Sequence, residues 1–228
     1  KIFYPILGLA ALGNILFLLN FVLPLKSLFV YIFLILILCL NFREKLIYKD
    51  FLNGYFLLSI SYLLILLFSV TDISFHYDAG YYHLSNQYWL YENKLIIGLV
   101  NIFLPLGIGS ISEYIASFFL IDTTFVTLHL INVVFVWFFY SYFQYHVLKK
   151  TTLYYPSIFI IIFSLLDNFG YKGGRNGFFY TQGIGAQDVA VSILFLIIGI
   201  NLIYKIKIKE FNKTEIIIFF FLSLFTFQ

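Results

Sequence analysis

Seven apolar runs, separated by polar stretches of unequal length, organise this chain. They cover about residues 2–23, 25–42, 51–70, 123–147, 152–166, 188–204 and 216–228. Charged side chains are almost absent from them. About 20 apolar residues match the hydrocarbon thickness of a bilayer. In hydrocarbon every backbone N–H and C=O must be satisfied within its own segment, so each run is predicted to be a helix. The fifth run is short, and the seventh is cut by the end of the chain. The predicted fold is therefore all-α: a polytopic transmembrane helical bundle, residues 1–228 forming one transmembrane domain. The chain is expected to be the N-terminal part of a longer protein.

One stretch tests this reading. Leu95 to Ile121 is apolar and about long enough to span, yet Pro105, Gly107, Gly109, Ser110 and Glu113 interrupt it. It is read as two short pieces lying along the outer interface, the second being Ile111–Ile121. With that choice the basic residues separate by side. Lys1, Arg43, Lys45, Lys49, Lys149, Lys150, Lys205, Lys207, Lys209 and Lys213 share one face, which the positive-inside rule makes cytoplasmic. Asp72, Asp78, Glu92, Glu113, Asp122, Asp167 and Asp188 share the other.

Composition agrees. The chain is 62% hydrophobic and 11% charged, with a mean hydropathy of +0.95. A soluble domain carries about 25% charged residues, so too little polar surface is present to cover a water-exposed globule. The net charge of +3 says little as a total, and no basic patch suits nucleic acid. The single cysteine, Cys39, lies within an apolar run and has no partner for an intrachain disulfide.

Candidate chemistry concentrates in two outer loops, residues 71–122 and 167–187. The first begins TDISFHYDAGYYHLSNQYWLYENK, and loops of its length without function are uncommon. Asp78 precedes a stretch, Ala79 to Tyr91, able to form an amphipathic helix. It reads either as a helix N-cap or as a general base taking a proton from an acceptor hydroxyl, and the two roles are compatible. His76, Asp78 and His83 do not have a standard zinc spacing. A hard divalent cation on Asp78 with another carboxylate such as Asp188 is the better metal reading. Tyr81, Tyr82, Tyr88, Trp89 and Tyr91 read as an aromatic belt, or as a surface gripping a sugar or a lipid chain. The second loop, DNFGYKGGRNGFFYTQGIGAQ, places Lys172 and Arg175 among glycines, where the two cations could hold a phosphate or simply face water. Asp188, at the start of a span, suits a helix N-terminus or a site. Asn14, Asn20 and Asn132 read as interhelical hydrogen-bonding groups.

The run FHYDAGYYHLSNQYWLYENKLIIGLVNI resembles the first outer loop of GT-C-type membrane glycosyltransferases, in the form "YDxxxYHL…W…GLxN" found in the branch associated with bacterial surface polysaccharides. SISEYIASFFLI resembles the short interfacial helix that follows there, and TTFVTLHLINVVFVWFFYSYF the next span. GAQDVAVSILFLIIG is similar to a later span opened by an Asp, although the Arg and Pro that often precede that Asp are missing. The resemblance covers roughly residues 72–199. It implies a transferase in the bacterial inner (plasma) membrane that takes a sugar from an isoprenoid-phosphate-linked donor to a glycan, lipid or protein acceptor on the outer face. Asp78 would be the essential acid. Lys172, Arg175, His83, Glu92, Asp188 and Trp89 are the expected substrate-binding residues, with no certain cofactor beyond a possible divalent cation. The alternatives are a flippase for a lipid-linked glycan, a polysaccharide polymerase or ligase, and a non-catalytic membrane subunit.

Overall fold

A computed structural model describes residues 3–41, 54–69, 74–75, 79–107, 109–121, 126–169, 183–184, 188–208 and 212–225. Apart from one pair of two-residue strands, these residues are helical or in turns. In chain order the helices are α1 (Tyr4–Asn20), α2 (Leu28–Asn41), α3 (Gly54–Ser69), α4 (Leu84–Glu92), α5 (Ile111–Phe118), α6 (Val126–Leu148), α7 (Tyr154–Phe169), α8 (Asp188–Ile208) and α9 (Lys213–Phe225). A π-helical turn, Ala79–His83, leads directly into α4, and β1 (Ser74–Phe75) pairs with β2 (Gly183–Ile184).

Each helix starts or stops for a local reason. Pro5 sits in the first turn of α1, where its missing N–H breaks no bond. The turn between α6 and α7 is fixed by Lys150 in the left-handed region (φ 47°) and by His146 Nδ1 against Thr151 Oγ1 at 2.7 Å. Asn212 Oδ1 accepts the Thr214 N–H at 3.0 Å and caps α9.

The core is built around α6. Phe135, Phe138, Tyr142 and Phe143 are almost fully buried, and they meet Ile6, Ala10 and Leu16 of α1, Leu194 and Ile197 of α8, and Leu222 of α9. The helix directions follow from the pairs in contact. Ser59 meets Ser141 at 2.6 Å while Leu66 clusters with Val133, so α3 runs antiparallel to α6. Asn201 Nδ2 donates to Tyr142 Oη at 2.6 Å and ties α8 to α6. In the last turn of α8 Lys205 pairs with Glu215 of α9 at 2.8 Å.

The outward faces are apolar. Leu28 and Phe29 of α2, Tyr155 and Phe159 of α7 and Phe195 of α8 each expose more than two thirds of their surface. Among the described residues one helix, Val189–Ile208, is long and apolar enough to cross a membrane, while Pro5–Asn20, Leu28–Cys39, Leu57–Leu67 and Tyr154–Leu166 form shorter apolar helices.

Several boundaries move from those expected. α7 continues to Phe169, so the second outer loop begins later than residue 167. α8 runs to Ile208 and takes Lys205 and Lys207 into its last turn, where cations suit the helix dipole. Leu95–Ile121 forms no continuous helix among its described residues; it breaks into two 3-10 turns, Leu99–Asn101 and Leu104–Gly107, before α5. Gly98 at φ 94° provides the first of these breaks.

α5 differs most from expectation. A helix lying along an outer surface would expose one face, but Ser112 through Ser117 are all buried. The helix is drawn in against α1 at Gly13, where a Cβ would stand 2.4 Å from Ile111 Cγ2, 3.1 Å from the Ile111 carbonyl oxygen and 3.1 Å from Ile115 Cδ1. Gly13→Ala is therefore expected to push α5 away from α1 and to destabilise the protein by about 1–3 kcal/mol. Thermal unfolding in detergent measures this, with Gly8→Ala, which meets no atom within 4 Å, as the control.

Candidate functional site

The segment from Ala79 to Asn93 inverts the usual helix pattern. Its buried positions are Ala79, His83, Asn86, Gln87 and Leu90, spaced as one helical face. Three of the five are polar. Tyr81, Tyr88 and Trp89 are exposed instead. A helix in water turns its aromatic residues inward; this one turns His, Asn and Gln inward and its aromatics out. A π-helical turn ends at His83, and such turns occur often at functional sites.

Glu113 of α5 is the centre of the polar face. Its side chain is fully buried. Oε1 stands 2.6 Å from His83 Nδ1, and Oε2 accepts a hydrogen bond from Asn86 Nδ2. Ser117 Oγ donates to the Glu113 carbonyl oxygen at 2.7 Å, and the Ser110 and Ser112 hydroxyls meet at 2.6 Å. The order Ser110-Ile-Ser-Glu113 has the spacing of a capping box, in which the glutamate would bond back to the helix start. Here no side-chain cap forms at Ser110, and the carboxylate turns across to α4. Both carboxylate oxygens accept a hydrogen bond, one from each partner on the facing segment. Among the described residues no group of three or more His, Cys, Asp and Glu side chains is placed to hold a metal ion.

Asn20, at the end of α1, fastens α4 from the other side. Its Nδ2 donates to the carbonyls of Leu90 (3.0 Å), Asn93 (3.0 Å) and Leu23 (3.2 Å), and the Leu95 N–H returns to the Asn20 carbonyl at 2.9 Å. It is thus a cross-element group, as expected. Asn14 differs: it bonds back to Ala10 of its own helix at 2.8 Å. Lys26 and Glu92 form an ion pair at the rim. Donating a hydrogen bond to the Glu92 carboxylate raises the Lys26 pKa. Glu92 is therefore committed to Lys26 and not to the buried cluster.

Tyr114, next to Glu113, is packed edge-on against Phe17 with ring centroids 5.1 Å apart. Burial, then the nearby Glu113 charge, pushes its phenol up to about 12. The sign is that of a raised pKa. The folded state holds its proton where the unfolded phenol, near 10, would lose it. Stability from this group is complete below pH 10 and is lost as pH rises toward 12. Tyr114→Phe is expected to flatten that part of the alkaline melting profile relative to wild type, leaving neutral pH little changed.

The two polar loops are joined through the strands. β1 and β2 pair in parallel, with Ser74 opposite Gly183 and Phe75 opposite Ile184. This joins the segment leading to the His83 turn with the segment leading into α8. Asp188 is the first residue of α8, but its side chain, like the whole of Asp78, His76, Lys172 and Arg175, lies outside the described residues. Of the expected site residues, the structure thus places His83 in the buried cluster, Glu92 at the rim and Trp89 on the exposed aromatic face. It adds three that the sequence reading did not single out as site residues: Glu113, Asn86 and Gln87. For Glu113 the available signal was a carboxylate inside an apolar stretch.

Comparison with the curated proteins and with the solved structures finds no match. The family model described as a domain of unknown function, DUF8201, matches residues 1–228. That match takes in the whole chain, and the chain belongs to the DUF8201 family.

Proposed function

We propose that this chain is a multi-pass membrane glycosyltransferase of the GT-C type, with its active face outward on a bacterial inner membrane. It moves a sugar from an isoprenoid-phosphate donor to a hydroxyl of a glycan, lipid or protein acceptor. The observation that carries this reading is the pairing of β1 with β2. It ties together the two polar loops that hold the resemblance.

Placement in a membrane is supported by the inverted surface. Apolar outward faces on α2, α3, α7 and α8 are too extensive for water. The exposed aromatics of α4 suit a lipid–water boundary.

In the proposed reaction Asp78 takes the proton of the acceptor hydroxyl. The acceptor oxygen bonds to the anomeric carbon as the bond from that carbon to the phosphate oxygen breaks, and isoprenyl phosphate leaves. Lys172 and Arg175 stabilise the charge growing on the departing phosphate. A carboxylate and two cations suffice for this balance, so no step needs a metal.

Full-length protein in proteoliposomes, supplied with radiolabelled polyprenyl-phosphate sugars and a hydroxyl acceptor, tests the reading. Protein-dependent release of polyprenyl phosphate with label in the acceptor is expected. Movement of an intact lipid-linked glycan across the bilayer, with no release, would replace the transferase by a flippase.

A further inference from the structure

We propose that Glu113 holds His83 in the tautomer with Nδ1 protonated and Nε2 bare, and that Nε2 and the Gln87 side chain together take hydroxyl groups of a sugar. The identification of the ligand as a sugar rests on the transferase reading; the tautomer and the hydroxyl preference do not.

The argument starts from the buried carboxylate. Glu113 can only accept hydrogen bonds when ionised, so the His83 nitrogen 2.6 Å away must be the donor. An imidazole that donates from Nδ1 and carries no second proton keeps its Nε2 lone pair available. Orientation of a histidine through one nitrogen by a carboxylate is a recurrent way to expose the other. Among the described residues Nε2 has no hydrogen-bond partner.

Gln87 supplies an independent observation. It lies four residues on from His83, on the same buried face, with 2% of its surface exposed. Its Oε1 is buried and has no partner. An unmet buried amide costs about 1–3 kcal/mol, which implies that something polar completes it.

The chemistry of the gap favours a hydroxyl over an anion. Bare Nε2 needs a donor, which a phosphodiester does not offer. A hydroxyl both donates and accepts, so it satisfies Nε2 and also meets the Gln87 carboxamide in either orientation. Neighbouring hydroxyls on a sugar ring serve two such groups one helical turn apart. Glu113 does not touch this ligand and acts as a positioning residue.

Nitrogen-15 NMR of histidine-labelled full-length protein in bilayers tests this directly, with His83→Gln assigning the resonance. Wild type is expected to show bare Nε2, and its signal should move on addition of methyl glycosides but not of dimethyl phosphate. Glu113→Gln presents an amide donor to Nδ1 and is expected to reverse the tautomer and abolish the glycoside response. Gln87→Leu should weaken glycoside binding about tenfold, the loss of roughly one neutral hydrogen bond. An Nε2–H tautomer in wild type, a tautomer unchanged by Glu113→Gln, or a response to dimethyl phosphate and not to glycosides would each overturn the proposal. The proteoliposome assay separates the two levels. Transfer without a glycoside response at His83 removes this site and leaves the transferase. A glycoside response without transfer keeps the hydroxyl site and removes the transferase.

Discussion

Asp78→Asn should reduce sugar transfer by about a hundredfold to ten-thousandfold at an unchanged level of protein in the membrane. The choice of asparagine separates two roles of one side chain. Asparagine is as good an N-cap as aspartate, so the start of the helical segment that follows keeps its stability. It cannot accept a proton at neutral pH, so general-base catalysis is lost. Asp78→Ala removes both roles and should cost protein level as well as transfer. Asp78→Glu keeps the base but shifts the carboxylate by about a methylene, and is expected to retain part of the activity. The measurement is surface-glycan synthesis in cells lacking the native gene, normalised to membrane protein by immunoblot. Full activity of the Asn variant would leave Asp78 as a cap only and move the proton transfer to another group.

The sequence carries the fold's helices, because they depend on local signals. Apolar runs of helical length are visible without knowing what they touch, and the basic ends of α6 and α8 follow from composition. The same local logic misplaces α5. Its length and its polar interruptions suggest a surface helix, but Gly13 lets Ile111 approach α1 closely enough to bury it. It also leaves Glu113 unrecognised. The Ser-x-x-Glu spacing offers a local role for that carboxylate, while its actual partner His83 is 30 residues away. The strand pairing is more remote still, joining Ser74 to Gly183, and two-residue strands have no periodicity to detect. On α4 the composition is plain but its sides are not. Trp89 and His83 look equally suited to a ligand until the fold turns one outward to the surface and the other inward to Glu113.

That inward pairing makes Glu113→Ala strongly disruptive, at about 2–5 kcal/mol, because it leaves two buried donors unmet. The cost has little to do with the attraction between Glu113 and its partners. A buried ion pair or charge-assisted bond is roughly balanced by the desolvation of its own groups. The loss arises because His83 Nδ1 and Asn86 Nδ2 stay buried with no acceptor and with water poorly placed to replace it. Two comparisons isolate that cause. Glu113→Gln keeps the volume and an acceptor for Asn86, and should cost about 1 kcal/mol or less of the same stability. The double change His83→Ala with Glu113→Ala removes donor and acceptor together, and should destabilise by less than the sum of the singles, by at least about 1 kcal/mol. Thermal unfolding of the purified variants in one detergent gives all four values. Additive effects would mean that α4 and α5 are held together by the Asn86–Glu113 hydrogen bond and apolar packing, with the His83–Glu113 contact contributing nothing to their docking. A coupling of the expected size would make this pair both a fastening of the His83 turn to α5 and the source of the fixed orientation of His83.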